Sequence, residues 1–251
     1  MRLLLCNDDG IHSEGLTALE EALAPFGSIY VVAPDREQSA ASHAVTLQRP
    51  LRVEQLGPRR FAVDGTPTDC VLLAVNGLLR DERPDYVISG INRGHNLADD
   101  VTYSGTVSAA MEGTLLGIQS IAVSLGGRES WDFQPAAAFT AELLQALQGV
   151  QLPRNTLLNV NVPPLPRDLI KGVQLTRQGQ RRYGDTIIEK VDPRGRKYYW
   201  IGGGERDLVD DGGGTDIGAI ARDMVSITPL HLDLTNYSSF DELARLRLDW
   251  R

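Results

Sequence analysis

The chain has few cysteines, few basic residues and no long apolar run, and each of these shortages argues against a class of protein. Its 251 residues include only two cysteines, Cys6 and Cys70. Their apolar or helical surroundings indicate reduced, buried thiols and not the disulfide framework of a secreted domain. No stretch has the pattern of a signal peptide or of a membrane-spanning helix. We therefore expect a soluble cytoplasmic protein with no membrane partner.

The shortage of basic residues bears on possible ligands. There are 25 Lys and Arg against 33 Asp and Glu, which gives a net charge of -8. This balance argues against a face that binds a nucleic-acid polymer. Phosphate binding would instead need a local cation or a helix N-terminus. The sequence also lacks a glycine-rich dinucleotide fingerprint after its first strand, and its four histidines lack metal-type spacing, so dehydrogenase and zinc chemistry are both disfavoured.

What the first half does contain is an alternation of apolar runs and helical patterns. Residues 3–6 and 29–33 read as strands buried on both faces, and residues 15–23 between them have helical spacing. Such a βαβ unit should pair in parallel through a right-handed crossover. Further strands are predicted at 85–89 and 121–125. The fold class predicted from this alternation is α/β, with a doubly wound, mostly parallel sheet.

Less regular elements are predicted around this core. Short antiparallel segments are expected at 45–47, 51–53 and 61–63, a helix at 70–79 after the N-cap Thr66, a helix at 133–147, strands at 157–162, 173–176 and 224–228, a short helix at 215–221, a mobile acidic loop at 205–211 and an amphipathic terminal helix at 239–250. Residues 186–191 and 197–201 flank Asp192-Pro193-Arg194-Gly195, which is typical of a hairpin turn. We predict a core at residues 1–130 that carries the site, and a part at 131–251 that completes the core and contributes the hairpin (about 186–201) and the terminal helix.

Oxygen-bearing side chains follow three of the predicted strands. Asp8 and Asp9 end the first strand, Ser39 lies in the loop after the second, and Asn92 follows the strand that reaches Ser89. Ligands of open α/β sheets bind at this carboxyl edge, and hard oxygen donors suit Mg²⁺ or Mn²⁺. Taken singly, the two aspartates also fit a solvated turn, and Ser39 and Asn92 fit ordinary loop and turn positions. Their convergence on one edge favours a metal site.

A second candidate site begins where a polar loop meets a helix of small residues at Ser104-Gly105-Thr106. The first turn of a helix leaves backbone N–H groups free, and the helix dipole favours an anion there. A simple N-cap is an equally good interpretation of this segment when it is considered alone. The overall charge of the chain makes a local anion site of this kind necessary if the ligand is a phosphate.

Several motifs together resemble one known family. They are Asn7-Asp8-Asp9-Gly10, Asp64-Gly65-Thr66-Pro67-Thr68-Asp69-Cys70, Ser89-Gly90-Ile91-Asn92-Arg93-Gly94, residues 96–113, and Val225-Ser226-Ile227-Thr228-Pro229-Leu230. They are similar to the motifs of the SurE (survival protein E) family, whose members are metal-dependent 5′/3′-nucleotidases. The resemblance spans nearly the whole chain. It implies a Rossmann-like core with helices on both faces, and a cytoplasmic homo-oligomer assembled through an extended hairpin and an exchanged C-terminal segment.

The resemblance also implies a site and a reaction. One divalent ion, Mg²⁺ or Mn²⁺, would be held in each subunit by Asp8, Asp9, Ser39 and Asn92. We expect removal of phosphate from nucleoside monophosphates by metal-activated water, with Asp8 or Asp9 as the catalytic base and Asp9 favoured. Asn96, Ser104, Gly105 and Thr106 would hold the phosphate. The alternatives are a non-catalytic nucleotide-binding or stress-interaction protein, and a broad phosphatase or exopolyphosphatase. A homo-dimer and a homo-tetramer remain equally open.

Overall fold

The structure, a computed structural model, describes residues 1–127, 131–182, 187–201, 207–209 and 213–246. Its strands are β1 (Arg2–Cys6), β2 (Ser28–Pro34), β3 (Val53–Gly57), β4 (Arg60–Val63), β5 (Tyr86–Arg93), β6 (Gln119–Leu125), β7 (Thr156–Val162), β8 (Val173–Leu175), β9 (Gln180–Arg182), β10 (Ile187–Val191), β11 (Lys197–Ile201), β12 (Asp207–Val209) and β13 (Val225–His231). Its α-helices are α1 (Glu14–Leu23), α2 (Pro67–Leu73), α3 (Gly105–Leu115), α4 (Gln134–Ala146), α5 (Asp216–Ala221) and α6 (Phe240–Ala244).

Nine of these strands form one sheet in the order β3-β4-β2-β1-β5-β6-β7-β13-β8. The run from β4 to β7 is parallel throughout, whereas β3 and β13 run antiparallel to β4 and β7. The predicted α/β class with a mostly parallel Rossmann-like sheet is thus confirmed. The chain adds β2 on one side of β1 and later places β5 on the other side. The carboxyl end of β1 therefore lies at a topological switch point, where such sheets bind ligands.

Burial along β1 explains why the sheet is covered on both faces. Leu3 and Leu5 belong to the apolar cluster shared with α1 and α4, whereas Leu4 and Cys6 belong to the cluster shared with α2 and α3. Successive side chains of a strand point to opposite faces, so an unbroken apolar run fills both layers. The prediction of helices on both faces is confirmed. Because β1 is buried at the centre of the sheet, Asp8 and Asp9, which follow it closely, lie at the edge of the core.

The start of α2 follows the sequence signal closely. The Thr66 hydroxyl accepts a hydrogen bond from Asp69 N at 3.1 Å, and the Asp69 carboxylate accepts one from Thr66 N at 2.9 Å. This reciprocal pair is a capping box, which satisfies two N–H groups at the start of the helix. The α-helical part ends at Leu73, and a π-helical turn, Ala74–Leu78, completes the helix that was predicted at 70–79.

Four local predictions need correction. Residues 45–47 form no strand, because Thr46 N and the Ala44 carbonyl are bonded to Asp69 and Thr66 at the start of α2. β4 pairs with β2 in parallel, so β3 is the strand that runs antiparallel at this edge.

Of the predicted acidic loop at 205–211, residues 207–209 form β12 and pair with β9, and the others lie outside the described residues. α6 covers only Phe240–Ala244 of the predicted terminal helix, and residues 247–251 lie outside the described part.

The predicted hairpin is confirmed as β10 and β11, which within the described part of the chain form a two-stranded sheet of their own. Its turn closes through a hydrogen bond from Gly195 N to the Asp192 carbonyl at 2.9 Å, and Gly195 has a φ of +78° that suits glycine. Residue 186 of the prediction lies outside the described residues. The division of the chain at residue 130 stays a prediction, since β7, β13 and β8 share one sheet with the earlier strands. In the described residues no helix is long and apolar enough to cross a membrane.

Candidate active site

Asp8 lies directly beyond β1 and is almost fully buried. Its carboxylate accepts a hydrogen bond from the Thr106 hydroxyl at the start of α3, and its carbonyl accepts one from Gln38 N at 2.7 Å. Burial raises the pKa of the Asp8 carboxyl, while hydrogen bonds from Thr106 and from backbone N–H groups, including that of Gly105, oppose the rise. Asp8 thus connects the end of β1 with the N-terminus of α3.

Asp9 is more exposed to solvent than Asp8 and contacts β5 instead of α3. Its carboxylate accepts a hydrogen bond from Arg93 N at 3.2 Å, at the end of β5. Burial, and then the negative charge of Asp8, raise the pKa of Asp9 to about 6. Two adjacent carboxylates whose charges are not compensated are expected where a cation binds, because the cation relieves both the repulsion and the cost of burial.

The other two predicted metal ligands lie nearby but make local contacts. The Ser39 hydroxyl is exposed and donates to the Glu37 carboxylate at 2.7 Å. Asn92 lies within β5 instead of after it, because the strand continues from Ser89 to Arg93 through a register irregularity. Its side-chain amide donates to the Gly94 carbonyl at 2.9 Å, which leaves the side-chain oxygen as the donor atom for a cation.

A cleft of about 390 Å³ opens at this edge of the sheet. It is lined by Asp9, Gly10, Ile11, His12, Ser13, Asp35, Arg36, Glu37, Ser39 and Arg93. Asp9 and Ser39 therefore share one cleft, whereas Asp8 and Asn92 do not line it. Among the described residues no three His, Cys, Asp or Glu side chains are grouped to hold a metal. The predicted ligand set contains only two such residues, so it depends on Ser39 and Asn92 for its remaining oxygens.

The start of α3 is capped by Ser104, as the sequence allowed, and it packs against Asp8. The Ser104 hydroxyl accepts a hydrogen bond from Val107 N at 3.1 Å and so caps the helix. A Cβ atom at Gly105 would lie 2.8 Å from the Asp8 Cβ and 3.0 Å from the Asp8 Oδ2, so the absence of a side chain there lets the helix approach Asp8. In this structure the Asp8 carboxylate is the anion that the start of α3 faces.

Asn96 is held in a buried polar network. Its backbone N–H donates to Asn161 Oδ1 at 2.8 Å, and its side-chain amide donates to Ser124 Oγ at 2.8 Å. Its carbonyl accepts from the side-chain amides of Asn159 at 2.8 Å and Asn161 at 3.0 Å. Asn96 does not line the cleft beside Asp9. Its position is set by β6 and β7.

Sequence reasoning missed several residues at this edge. Arg36, Glu37 and Arg93 line the cleft, and the Arg93 backbone holds Asp9. Arg36 and Glu37 lie in the loop after β2, and Arg93 is the last residue of β5. These positions at the carboxyl edge of the sheet were a usable signal, since ligands of such sheets bind there. Asn159 and Asn161 were missed too, although two asparagines on the same face of an apolar strand are unusual enough to indicate a buried network.

The fold and the site together define an α/β protein with paired carboxylates at its switch point, close to a helix N-terminus. The family described as "Survival protein SurE" matches residues 3–185. The chain is 56% identical to "5′-nucleotidase SurE" of Geobacter sulfurreducens over 245 residues, which cover 97% of this chain and 92% of that protein. It is 52% identical to the protein of the same name from Myxococcus xanthus over 249 residues, covering 99% and 94% of the two chains.

A solved structure agrees with these sequence comparisons. The crystal structure of the SurE protein from Aquifex aeolicus matches with a TM-score of 0.87 and 43% identity, covering 98% of this chain and 99% of that one. The chain belongs to the SurE family. The resemblance seen in the sequence motifs is thereby confirmed.

Proposed function

We propose that this chain is a 5′-nucleotidase, which hydrolyses nucleoside monophosphates to nucleosides and phosphate. The observation that carries the proposal is the contact between Asp8 and Thr106, which brings paired carboxylates at the end of β1 against the start of α3. A cation position and a phosphate position are then neighbours, as phosphoryl transfer requires. The names of the relatives, "5′-nucleotidase SurE", support the same activity.

We further propose one divalent cation per subunit, Mg²⁺ or Mn²⁺, held by Asp8, Asp9, Ser39 and Asn92. The donors fit such an ion because all four residues can offer oxygen atoms. A buried oxygen close by, Asn7 Oδ1, has no hydrogen-bond partner in the described part of the chain. Together with the raised pKa values of Asp8 and Asp9, this indicates a site short of positive charge.

The side chains divide the chemistry between them. A bound cation supplies Lewis-acid polarisation of a phosphoryl oxygen and favours deprotonation of water. Asp9 lines the open cleft, and we assign to it the roles of orienting the attacking water and accepting its proton. We assign phosphate binding to the hydroxyl and backbone N–H groups of Ser104, Gly105 and Thr106, together with Asn96. The Thr106 hydroxyl donates to Asp8, so it links the proposed cation site to the proposed phosphate site.

Release of inorganic phosphate from AMP tests the activity. We expect turnover with added Mn²⁺ or Mg²⁺, loss of turnover with EDTA, and recovery when the metal is restored, because Asp8 and Asp9 alone would repel an anionic phosphate. A panel of 3′-AMP, p-nitrophenyl phosphate and polyphosphate, compared by kcat/KM, separates a nucleotidase from a broad phosphatase or exopolyphosphatase. Calorimetric binding of AMP without phosphate release under any metal would instead support the non-catalytic nucleotide-binding alternative.

We also propose that the hairpin assembles subunits into a homo-dimer or homo-tetramer. Tyr199 and Trp200 are 56% and 63% exposed on β11, and exposed aromatic residues of this kind suit an interface. Replacing both with serine should reduce the mass of the particle measured by light scattering. Leu47→Ser, which removes an 86% exposed leucine elsewhere, is the matched control and should leave the mass unchanged. An unchanged mass in the double variant would contradict the assignment.

A further inference from the structure

Ala98 lies in the loop between Asn96 and Ser104 and has an unusual backbone. It begins the short 3₁₀ helix Ala98–Thr102 and has a φ of +50°. Left-handed backbone of this kind is disfavoured for any residue with a Cβ atom, so it persists only where surrounding groups hold it in place. The groups that hold Ala98 come from the far end of the chain.

The peptide groups of Ala98 are bonded on both sides. Its N–H donates to Asp216 Oδ2 at 2.8 Å, across 118 positions of sequence, and its carbonyl accepts from the Gln178 side-chain amide at 3.0 Å. The second Asp216 oxygen, Oδ1, accepts from Gly179 N and Ile217 N, both at 2.8 Å. Asp216 is fully buried, and a buried carboxylate is tolerated only when donors of this kind surround it. It therefore ties its own helix start to two other backbone segments, at Ala98 and at Gly179.

Hydrogen bonds within the loop connect the region of Ala98 to the candidate active site. Asp100 N donates to the Leu97 carbonyl at 3.1 Å, and Ser104 N donates to the Asp100 carbonyl at 3.2 Å. Ser104 then caps α3, whose first residues lie against Asp8. At the other end of the loop, Asn96 is held by Asn161 and Ser124. The loop 96–104 is thus fixed at its start by β6 and β7 and near its middle by Asp216.

We propose that Asp216 is a positioning residue for the phosphate-binding loop 96–104. The proposal rests on the function proposed above, in which Asn96 and Ser104 bind the phosphate. Asp216 acts through Ala98 and does not itself touch the substrate. Without this anchor the loop populates other conformations as well. The apparent substrate affinity is then the intrinsic affinity multiplied by the fraction of molecules whose loop has the binding conformation. Bound substrate restores the competent state, so turnover at saturation is kept.

The variant Asp216→Asn tests this selectively. An asparagine oxygen can still accept from Gly179 and Ile217, but its NH₂ group, in place of Oδ2, cannot accept from Ala98 N. We expect KM for AMP to rise about tenfold, on the scale of one hydrogen bond to a charged acceptor, with kcat within about twofold of wild type. The Mn²⁺ concentration that half-activates the enzyme should not change, because no proposed metal ligand lies in this loop.

Two further variants separate positioning from plain stability. Thr176→Val removes buried hydrogen bonds to Ser226 and Thr228 in the same part of the fold, so it should lower the melting temperature without changing KM. In the Asp216→Asn background, Ala98→Gly should recover part of the lost affinity, because glycine adopts a φ of +50° without help. A KM within twofold of wild type for Asp216→Asn, or a fall in kcat at unchanged KM as from simple unfolding, would overturn the proposal.

Hydrogen exchange distinguishes failure of this proposal from failure of the proposed function. If the wild-type protein releases no phosphate from any nucleotide, the proposed function fails, but the anchor can still be measured. The peptide that spans residues 96–104 should then exchange its amide hydrogens faster in Asp216→Asn than in wild type and in Thr176→Val. Equal exchange in all three proteins would show that Asp216 does not hold the loop.

Discussion

Asp9→Asn is expected to lower kcat/KM for AMP by at least about 100-fold, because even indirect supports of metal ligands are worth 10–100-fold. The substitution keeps the shape of the side chain but removes one of the two negative charges that the proposed cation neutralises. Asp9 also lines the open cleft, where the attacking water must be oriented. Phosphate release at saturating and limiting Mn²⁺ measures the effect. Asp8→Asn should have a comparable effect.

A matched control removes one negative charge at a residue outside the Asp8 and Asp9 pair. Glu14 carries an exposed carboxylate at the start of α1 and pairs with Arg93 at 3.0 Å, so Glu14→Gln removes one negative charge close to the cleft. Its activity should stay near that of wild type. In EDTA, Asp9→Asn should melt no lower than wild type, since it relieves repulsion with Asp8. Near-normal turnover in both aspartate variants would exclude the assigned metal site.

The parts of the fold that sequence predicted correctly depend on local patterns. The run from Leu3 to Cys6 fills both apolar layers, Thr66 and Asp69 form their capping box three residues apart, and Gly195 closes the hairpin turn. Each signal lies within a few residues, so burial or hydrogen bonding follows from neighbours in the sequence. Strand limits were less accurate, because β5 runs four residues past Ser89 through an irregular register with β6.

The parts that sequence could not predict depend on contacts between distant segments. Asp216 and Ala98 are 118 positions apart, and Asn161 reaches Asn96 across 65. No local pattern says that these groups meet, since their contact follows from the order of strands in the completed sheet. The same holds for the contact of Asp8 with Thr106, across 98 positions, which makes the metal and phosphate positions neighbours. The edge of the sheet was predictable, whereas the partners along it were not.

Gly105→Ala is expected to lower kcat/KM at least about 100-fold, because crowding at a reacting centre removes contacts that are each worth 10²–10³. The new Cβ would lie 2.8 Å from the Asp8 Cβ and 3.1 Å from the Pro67 Cγ, closer than side-chain atoms pack. Asp8 or the start of α3 must move in response. We expect the half-activating Mn²⁺ concentration to rise together with KM, because Asp8 belongs to one site and Gly105 to the other.

Gly113→Ala supplies the control from the same helix. A Cβ there would meet the Ser120 Oγ at 2.5 Å and the Val87 Cγ2 at 2.7 Å, so crowding is at least as severe but lies two turns away from Asp8. Both variants should lose stability, which thermal unfolding measures, by about 1–3 kcal/mol. Only Gly105→Ala should lose Mn²⁺ affinity, measured by calorimetry on the folded protein. If Gly105→Ala and Gly113→Ala are impaired equally in stability and neither changes the Mn²⁺ or AMP dependence, the start of α3 does not form the phosphate site beside Asp8.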